Sequence, residues 1–401
     1  MKILMTAESY YPFMDKGGPA VKIRAIALGL AKLGHSVTVL TSDWGFQPSM
    51  VLPGISSDKT RFGWRMQESG VETFFLTSVA NYRTVSVNPH VLDFARRIRE
   101  YDIVHIYGLY DLLGPAVTFF CQWNHIPYVV EPMGMFRPII RNLLLKNVYH
   151  ITLGNRLLRS ARLLIATSEQ EKNEMVEGGI DPQRVVVRRN GVEMPSAIPS
   201  PGAFRTKVGI PSDALVVLYL GRLEAKKSPE LLVAAFASWR KKTKSKKAAF
   251  LVIAGPEHEQ GYVDRLNSQA SSLGIRDGIK FTGPLYDDAK WRAYRDADVF
   301  VLPSQNENFG NSAAEAIASG TPVIVTDRCG IATYIAQRTG LVVMHDEQAM
   351  ARGLAEILDR PELAAQFRSA CLAVARELSW EEPVSQMARI YERALSGAVA
   401  A

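Results

Sequence analysis

Between Pro303 and Asp327 the chain reads PSQNENFGNSAAEAIASGTPVIVTD, with two carboxylates, Glu307 and Glu315, eight positions apart around a small, polar, glycine-containing turn. Such a pair admits several chemistries. It could act as acid and base in a hydrolysis, hold a metal ion, or accept hydrogen bonds from a sugar or ribose. It could also do no more than keep a helix soluble. A second stretch, GRLEAKKS, carries Arg222 and Lys227 five positions apart. A planar guanidinium fork and a point charge on one loop suit a diphosphate, although a solvated loop would also carry them. A third, KGGP, sets Gly17 and Gly18 at the opening of a helical pattern. There, backbone N–H groups and the positive helix end favour an anion, and a plain tight turn is the simpler alternative.

These residues follow short β-rich runs. KILMTAE, SVTVLTS, DIVHIYG, PYVVEPMG, ARLLIATS and RVVVRRNG alternate with helical or polar stretches in the first half. LVVLYLGR, AAFLVIAG, GIKFTG, DVFVLPS, TPVIVTD and TGLVVMH repeat the pattern in the second. Such alternation predicts parallel sheets with helices on both faces, hence two doubly wound α/β domains facing a central cleft. The Pro/Gly-rich stretch 198–213 reads as a linker. The expected domains are 1–195 and 196–375, with a C-terminal helix, 376–401, returning to the first. Ligands of open α/β sheets bind at the carboxyl ends of the strands, where the residues above fall.

The 401 residues are 47% hydrophobic and 22% charged, which fits a globular protein of about two domains. No apolar run is long enough to span a bilayer. The N-terminus lacks the apolar region of a signal peptide and reads as a first strand, so the cytoplasm is the expected location. Cys121, Cys329 and Cys371 are widely spaced and read as reduced thiols, not a zinc site. The net charge of +7 fits anionic partners, and the absence of aromatic-basic RNA motifs argues against nucleic acid. The segment 137–162 holds six basic residues and no acidic one, interleaved with apolar residues. It is expected to pack its apolar face on the first domain and to offer its charges to an anionic membrane surface, so that the protein is peripheral on the inner face.

In order along the chain, GGP, DIVHIYGLY, RNGVE, GRLEAKKS (Gly-Arg-x4-Lys), PS followed by ENFGNSAAE (Glu-x7-Glu), and the terminal SWEEPVSQMARIYERAL resemble family 4 glycosyltransferases of the GT-B fold. The resemblance runs over essentially the whole chain. Glu-x7-Glu alone is a weak pattern; in this order it is specific. The resemblance implies a retaining, metal-independent transfer of a hexose-type sugar from a UDP- or GDP-sugar, with no cofactor. The implied acceptor is a lipid-linked, polysaccharide or other cell-envelope glycan intermediate. Arg222 and Lys227 would hold the donor diphosphate and stabilise it as leaving group. Glu307 would contact the donor sugar and Glu315 the ribose. Asn308, Phe309, Gly310 and Asn311 would present the turn's backbone N–H groups, and Gly17 and Gly18 a loop toward the diphosphate. Backbone groups between Phe281 and Leu285 would read the base edge. Asp287 or Asp288 would accept from a guanine, or else one of them caps the following helix. Many relatives carry a histidine where this chain has Met133, so Glu131, two positions earlier, is the expected polar substitute at the sugar.

Two motifs read as structural. Asp296–Asp298 has the Asp-x-Asp form of a metal motif but sits at a helix-to-strand junction, and GPEHEQG lacks HExxH spacing. His105 is as consistent with a buried core histidine as with an acceptor site. Two other function classes remain: a nucleotide-sugar epimerase similar to the UDP-N-acetylglucosamine 2-epimerases, and a two-domain sugar-binding protein. The Arg-x4-Lys spacing and Glu-x7-Glu favour the transferase over the first, and the lack of a signal peptide counts against the second.

Overall fold

The computed structural model describes residues 1–13, 18–82, 85–136, 148–195 and 197–397. The chain forms two compact units, Met1–Gly191 with Trp380–Ala401, and Val192–Ser379. Their boundaries fall a few residues from the expected 195/196 and 375/376.

The strands of the first unit are β1 (Lys2–Thr6), β2 (Ser36–Ser42), β3 (Ser56–Thr60), β4 (Gly63–Glu68), β5 (Val71–Leu76), β6 (Ala80–Tyr82), β7 (Val85–Val87), β8 (Ile103–Tyr107), β9 (Tyr128–Glu131), β10 (Leu163–Ala166) and β11 (Val185–Val187). Nine of them form one sheet in the order β11-β10-β9-β8-β1-β2-β5-β4-β3; β6 and β7 form a separate antiparallel pair. The sheet is parallel from β11 to β5, and β4 pairs antiparallel with both β5 and β3. That edge departs from the expected all-parallel sheet. Its outer strand, SSDKT, holds no large apolar residue and gives no strand signal in the sequence.

Alternate residues along the central strands feed two cores. Ile3 and Met5 pack on one face of the sheet and Leu4 on the other. Burial on both faces explains why these strands read as continuous apolar runs. The helix Gly18–Lys32 buries Ile23, Ile26, Ala27 and Leu30, the 3–4 spacing of one helical face. The C-terminal helix Glu381–Ser396 packs in the same core through Val384, Met387, Ile390, Tyr391 and Ala394.

Inside this unit lies a fully buried ionic cluster. Glu131, at the end of β9, accepts from Lys22 Nζ at 2.6 Å and from Arg188 Nη2 at 2.7 Å. His105 Nε2 lies 3.7 Å from the same carboxylate, and its Nδ1 is 2.8 Å from the Tyr391 hydroxyl. Burial raises the Glu131 pKa, but the Arg188 and Lys22 charges overcome it and bring it to about 2. The expectation that Glu131 reaches a sugar is therefore corrected. With 0% exposure and an ion-pair partner on each oxygen, Glu131 neutralises two buried cations. His105 is likewise a core residue, stacked on Tyr107 with centroids 3.8 Å apart.

The second unit contains β12 (Leu215–Leu220), β13 (Ala249–Ala254), β14 (Ile279–Gly283), β15 (Val299–Leu302), β16 (Val323–Thr326) and β17 (Gly340–Val343). They form one parallel sheet in the order β14-β13-β12-β15-β16-β17. Val216 and Leu218 face one core, Val217 and Tyr219 the other. The stretch expected to be a linker is packed into this unit. It folds into the helix Ala203–Val208 and buries Phe204. Asp296 accepts from the backbone N–H groups of Gly202, Phe204 and Arg205 at 2.5, 2.7 and 3.0 Å. Asp298 pairs with Arg205 at 2.9 Å and accepts from Val216 N at 2.7 Å, so both acids of the Asp-x-Asp motif are structural.

The buried histidine gives a pH signature. Burial drives His105 down to about 3, against the pull of Glu131. In the unfolded chain an imidazole titrates near 6.5. Stability from this group is therefore complete above pH 6.5 and is lost as the pH falls toward 3. Unfolding free energies of wild type and His105→Gln, compared between pH 6.5 and 4, are expected to diverge in slope by up to about 1.4 kcal/mol per pH unit, the variant being flatter. Parallel slopes would show that His105 is not held neutral.

Candidate active site

In the second sheet the chain leaves β12 toward β13 and β14 on one side, then returns to β15 on the other. The carboxyl ends of β12 and β15 thus flank the topological switch point, where open α/β sheets bind ligands. The loop after β12 carries Arg222 and Lys227; the loop after β15 carries Glu307. Residues 80 positions apart in sequence meet there: Lys227 Nζ donates to Glu307 Oε2. Gln305 N donates to Lys226 O at 3.0 Å and ties the two loops. Arg222 is half-exposed and pairs with Glu224 at 3.2 Å, so Arg222 and Lys227 have different partners.

The turn around Glu307 is pinned from a third loop. Glu307 N donates to Arg328 O at 3.0 Å, Gly330 N to Glu307 O at 2.9 Å, and Ile331 N to Phe309 O at 2.7 Å. Phe309 anchors the turn with a buried ring near Tyr334. Gly310 has φ +111°, and a Cβ there would lie 3.0 Å from Ile331 Cγ2 and 3.2 Å from Leu302 Cδ2. Helix Asn311–Ala318 follows directly, with its first turn beside Asn308 and Gly310. A helix start leaves its first N–H groups without partners in the helix, which suits them to an anion or hydroxyl.

Charge is crowded here. Burial lowers the Lys226 pKa; the Lys227 and Arg222 charges push it the same way, and Glu307 and Glu224 hold it back. Ser228, which ends the loop at φ +49°, bonds His345 Nε2 through its hydroxyl at 3.0 Å. Burial and then the Arg328 charge depress that imidazole. An anion entering among Arg222, Lys226 and Lys227 would relieve this repulsion.

Glu315 sits in the helix Asn311–Ala318, about two helical turns on from Glu307. Its Oε1 accepts from Lys290 Nζ at 2.7 Å and its Oε2 from the Tyr294 hydroxyl at 3.0 Å. Sequence reading did not single out Lys290 or Tyr294. Their i,i+4 spacing on a helix following the base loop was the available signal. Phe281 and Leu285 are half-buried, each leaning on one of the unit's two cores. Asp287 is exposed and begins the helix Asp287–Asp296 at φ +45°. The capping expectation is corrected: Tyr286 holds the cap position without a side-chain bond, and Asp288 faces Arg292 at 3.7 Å. In the first unit, Gly18 begins the helix Gly18–Lys32, and Gly17 lies outside the described residues. Among the described residues no group of His, Cys, Asp or Glu is placed to hold a metal ion.

The site thus lies at the switch point of a parallel sheet, with lysine, arginine and glutamate on the two flanking loops. Residues 17–191 match the family described as glycosyl transferase 4-like domain, and residues 202–371 match glycosyl transferases group 1. Among solved structures, sucrose-phosphate synthase from Thermosynechococcus elongatus superposes with a TM-score of 0.74 at 20% identity, covering 99% of this chain and 100% of that one. An Anabaena protein, HepE, in complex with UDP and glucose, gives 0.71 at 20% identity over 98% and 99%. The fold is that of the GT-B glycosyltransferases. The chain belongs to family 4 of these enzymes. It is 33% identical over 248 residues to D-inositol 3-phosphate glycosyltransferase of Streptomyces scabiei, covering 60% of this chain and 56% of the relative. A Catenulispora acidiphila relative, D-inositol 3-phosphate glycosyltransferase 2, is 35% identical over 251 residues, covering 60% and 58%. The match thus spans little more than half the length of these relatives.

Gly255, just after β13, packs against the backbone of Gly221, next to Arg222. Its φ is +149°, and a Cβ would lie 1.8 Å from the Gly221 carbonyl oxygen. Gly255→Ala must therefore displace backbone and is expected to cost about 3 kcal/mol or more in unfolding free energy. A variant within 0.5 kcal/mol of wild type (about the noise of a neutral surface change) would show that this approach is not tight.

Proposed function

We propose that the protein is a retaining, metal-independent hexosyltransferase that moves a sugar from a UDP- or GDP-sugar to a hydroxyl acceptor. The observation that carries this reading is the meeting of Lys227 and Glu307 on the two loops of the switch point. The C1–oxygen bond to the diphosphate breaks, releasing the nucleoside diphosphate, and a C1–oxygen bond to the acceptor hydroxyl forms on the same face. The departing diphosphate takes the acceptor proton, while Arg222 and Lys227 offset its charge. Glu307 accepts from sugar hydroxyls and holds Lys227 in place. Asn308, Phe309, Gly310 and Asn311 offer backbone donors, Glu315 accepts from the ribose, and the Phe281–Asp287 loop meets the base.

For the acceptor we favour a lipid-linked or cell-envelope glycan intermediate, presented at an anionic membrane surface on the cytoplasmic side. Within 137–162, residues 137–147 lie outside the described residues. The rest exposes Val148 and Ile151 and places Arg156 on Gln122 at the surface. No helix among the described residues is long and apolar enough to cross a membrane. Inositol phosphate belongs in the acceptor panel because the curated relatives are named for it.

A thermal-shift panel of UDP-, GDP- and ADP-sugars tests the donor. A UDP- or GDP-sugar is expected to stabilise the protein by about 2.7 kcal/mol at one hundred times its Kd, and no response to any of them would sink the proposal. Glu315→Ala should raise donor KM about tenfold while lowering kcat less. Unchanged donor binding would remove the ribose assignment. Epimerised sugar formed without acceptor would instead favour the isomerase.

A further inference from the structure

Glu315 lies on the helix Asn311–Ala318 and meets one face of the helix Asp287–Asp296. Lys290 and Tyr294, four positions apart, share that face. Each takes one oxygen of the carboxylate, Lys290 at 2.7 Å and Tyr294 at 3.0 Å. Both donors are themselves fixed. Tyr294 is fully buried, with its ring centroid 5.5 Å from Phe300 and its carbonyl accepting from Thr321 Oγ1 at 2.6 Å. Burial and then the Glu315 charge push its hydroxyl pKa well up, so it stays a donor. The Lys290 ammonium lies 4.7 Å from the centroid of the Trp291 ring.

An ionised carboxylate has about four acceptor directions, two on each oxygen. Lys290 and Tyr294 use one on each, and the side chain keeps 21% of its surface exposed. One direction per oxygen remains, and two such acceptors side by side match two neighbouring hydroxyls.

We propose that Lys290 and Tyr294 are positioning residues that fix Glu315 against the 2′,3′-diol, so that the trio sets the preference for ribonucleotide over 2′-deoxyribonucleotide donors. This rests on the reading of Glu315 as the ribose acceptor. A lysine that instead touched phosphate or base would serve ribo and deoxy donors alike.

The test is calorimetric binding of UDP and 2′-deoxy-UDP, with GDP and 2′-deoxy-GDP in parallel, to wild type, Lys290→Met, Lys290→Arg, Tyr294→Phe and Glu315→Ala. Wild type should favour the ribonucleotide about tenfold or more. Lys290→Met should shrink that ratio at least about threefold and leave deoxynucleotide affinity nearly unchanged, with Lys290→Arg restoring part of it. Tyr294→Phe should act in the same direction. In turnover, Lys290→Met should raise donor KM more than it lowers kcat. Equal losses for ribo and deoxy ligands overturn the inference. If Glu315→Ala abolishes the ratio while the Lys290 and Tyr294 variants keep it, the inference falls and the ribose reading survives. If Glu315→Ala keeps the ratio, the ribose reading falls first.

Discussion

Strand β15 pairs with β12 and not with β14, and the candidate site follows from that choice. Had the chain continued outward from β14, the loop bearing Glu307 would lie three strands from the loop bearing Lys227. The reversal makes them neighbours. The close approach of Gly255 to Gly221 and the bond from Gln305 to Lys226 then hold the neighbouring loops at a fixed separation. The side chains of the candidate site therefore stand on loops whose backbones are bonded to one another, the preorganisation that electrostatic catalysis needs.

The first unit places its charges differently. Glu131, Lys22, Arg188 and His105 are sealed from solvent, and one carboxylate balances two cations. Removing one partner from such a cluster leaves an uncompensated buried charge, at about 3–5 kcal/mol. The cluster also joins the C-terminal helix to the sheet, through the Tyr391 hydroxyl on His105. A carboxylate so committed has no acceptor capacity to spare for a sugar, whereas Glu307 and Glu315 keep about a fifth of their side-chain surface open.

Much of this was legible in the sequence for a physical reason. Strands buried on both faces are continuous apolar runs, and strand-end loops are where they stop. The Lys227–Glu307 meeting could be expected once both were assigned to strand ends. Three features could not. The strand SSDKT is stabilised by ladder bonds to β4, not by apolar burial. The stretch 198–213 looked like a linker because its prolines and glycines are local signals, whereas its docking depends on Asp296, some ninety residues away. Glu131 looked available because it follows a strand; only the fold shows Lys22 and Arg188 converging on it.

The two glutamates of the opening motif share one arrangement. Each holds a lysine from a neighbouring loop or helix, Glu307 with Lys227 and Glu315 with Lys290. A carboxylate paired with a lysine is pinned in direction and remains an acceptor. Acid–base work would place a carboxyl beside a reacting proton, whereas each of these carboxylates is hydrogen-bonded to a lysine. Hydrogen-bond recognition of hydroxyls uses what this arrangement supplies: acceptor oxygens oriented by lysines and left partly open.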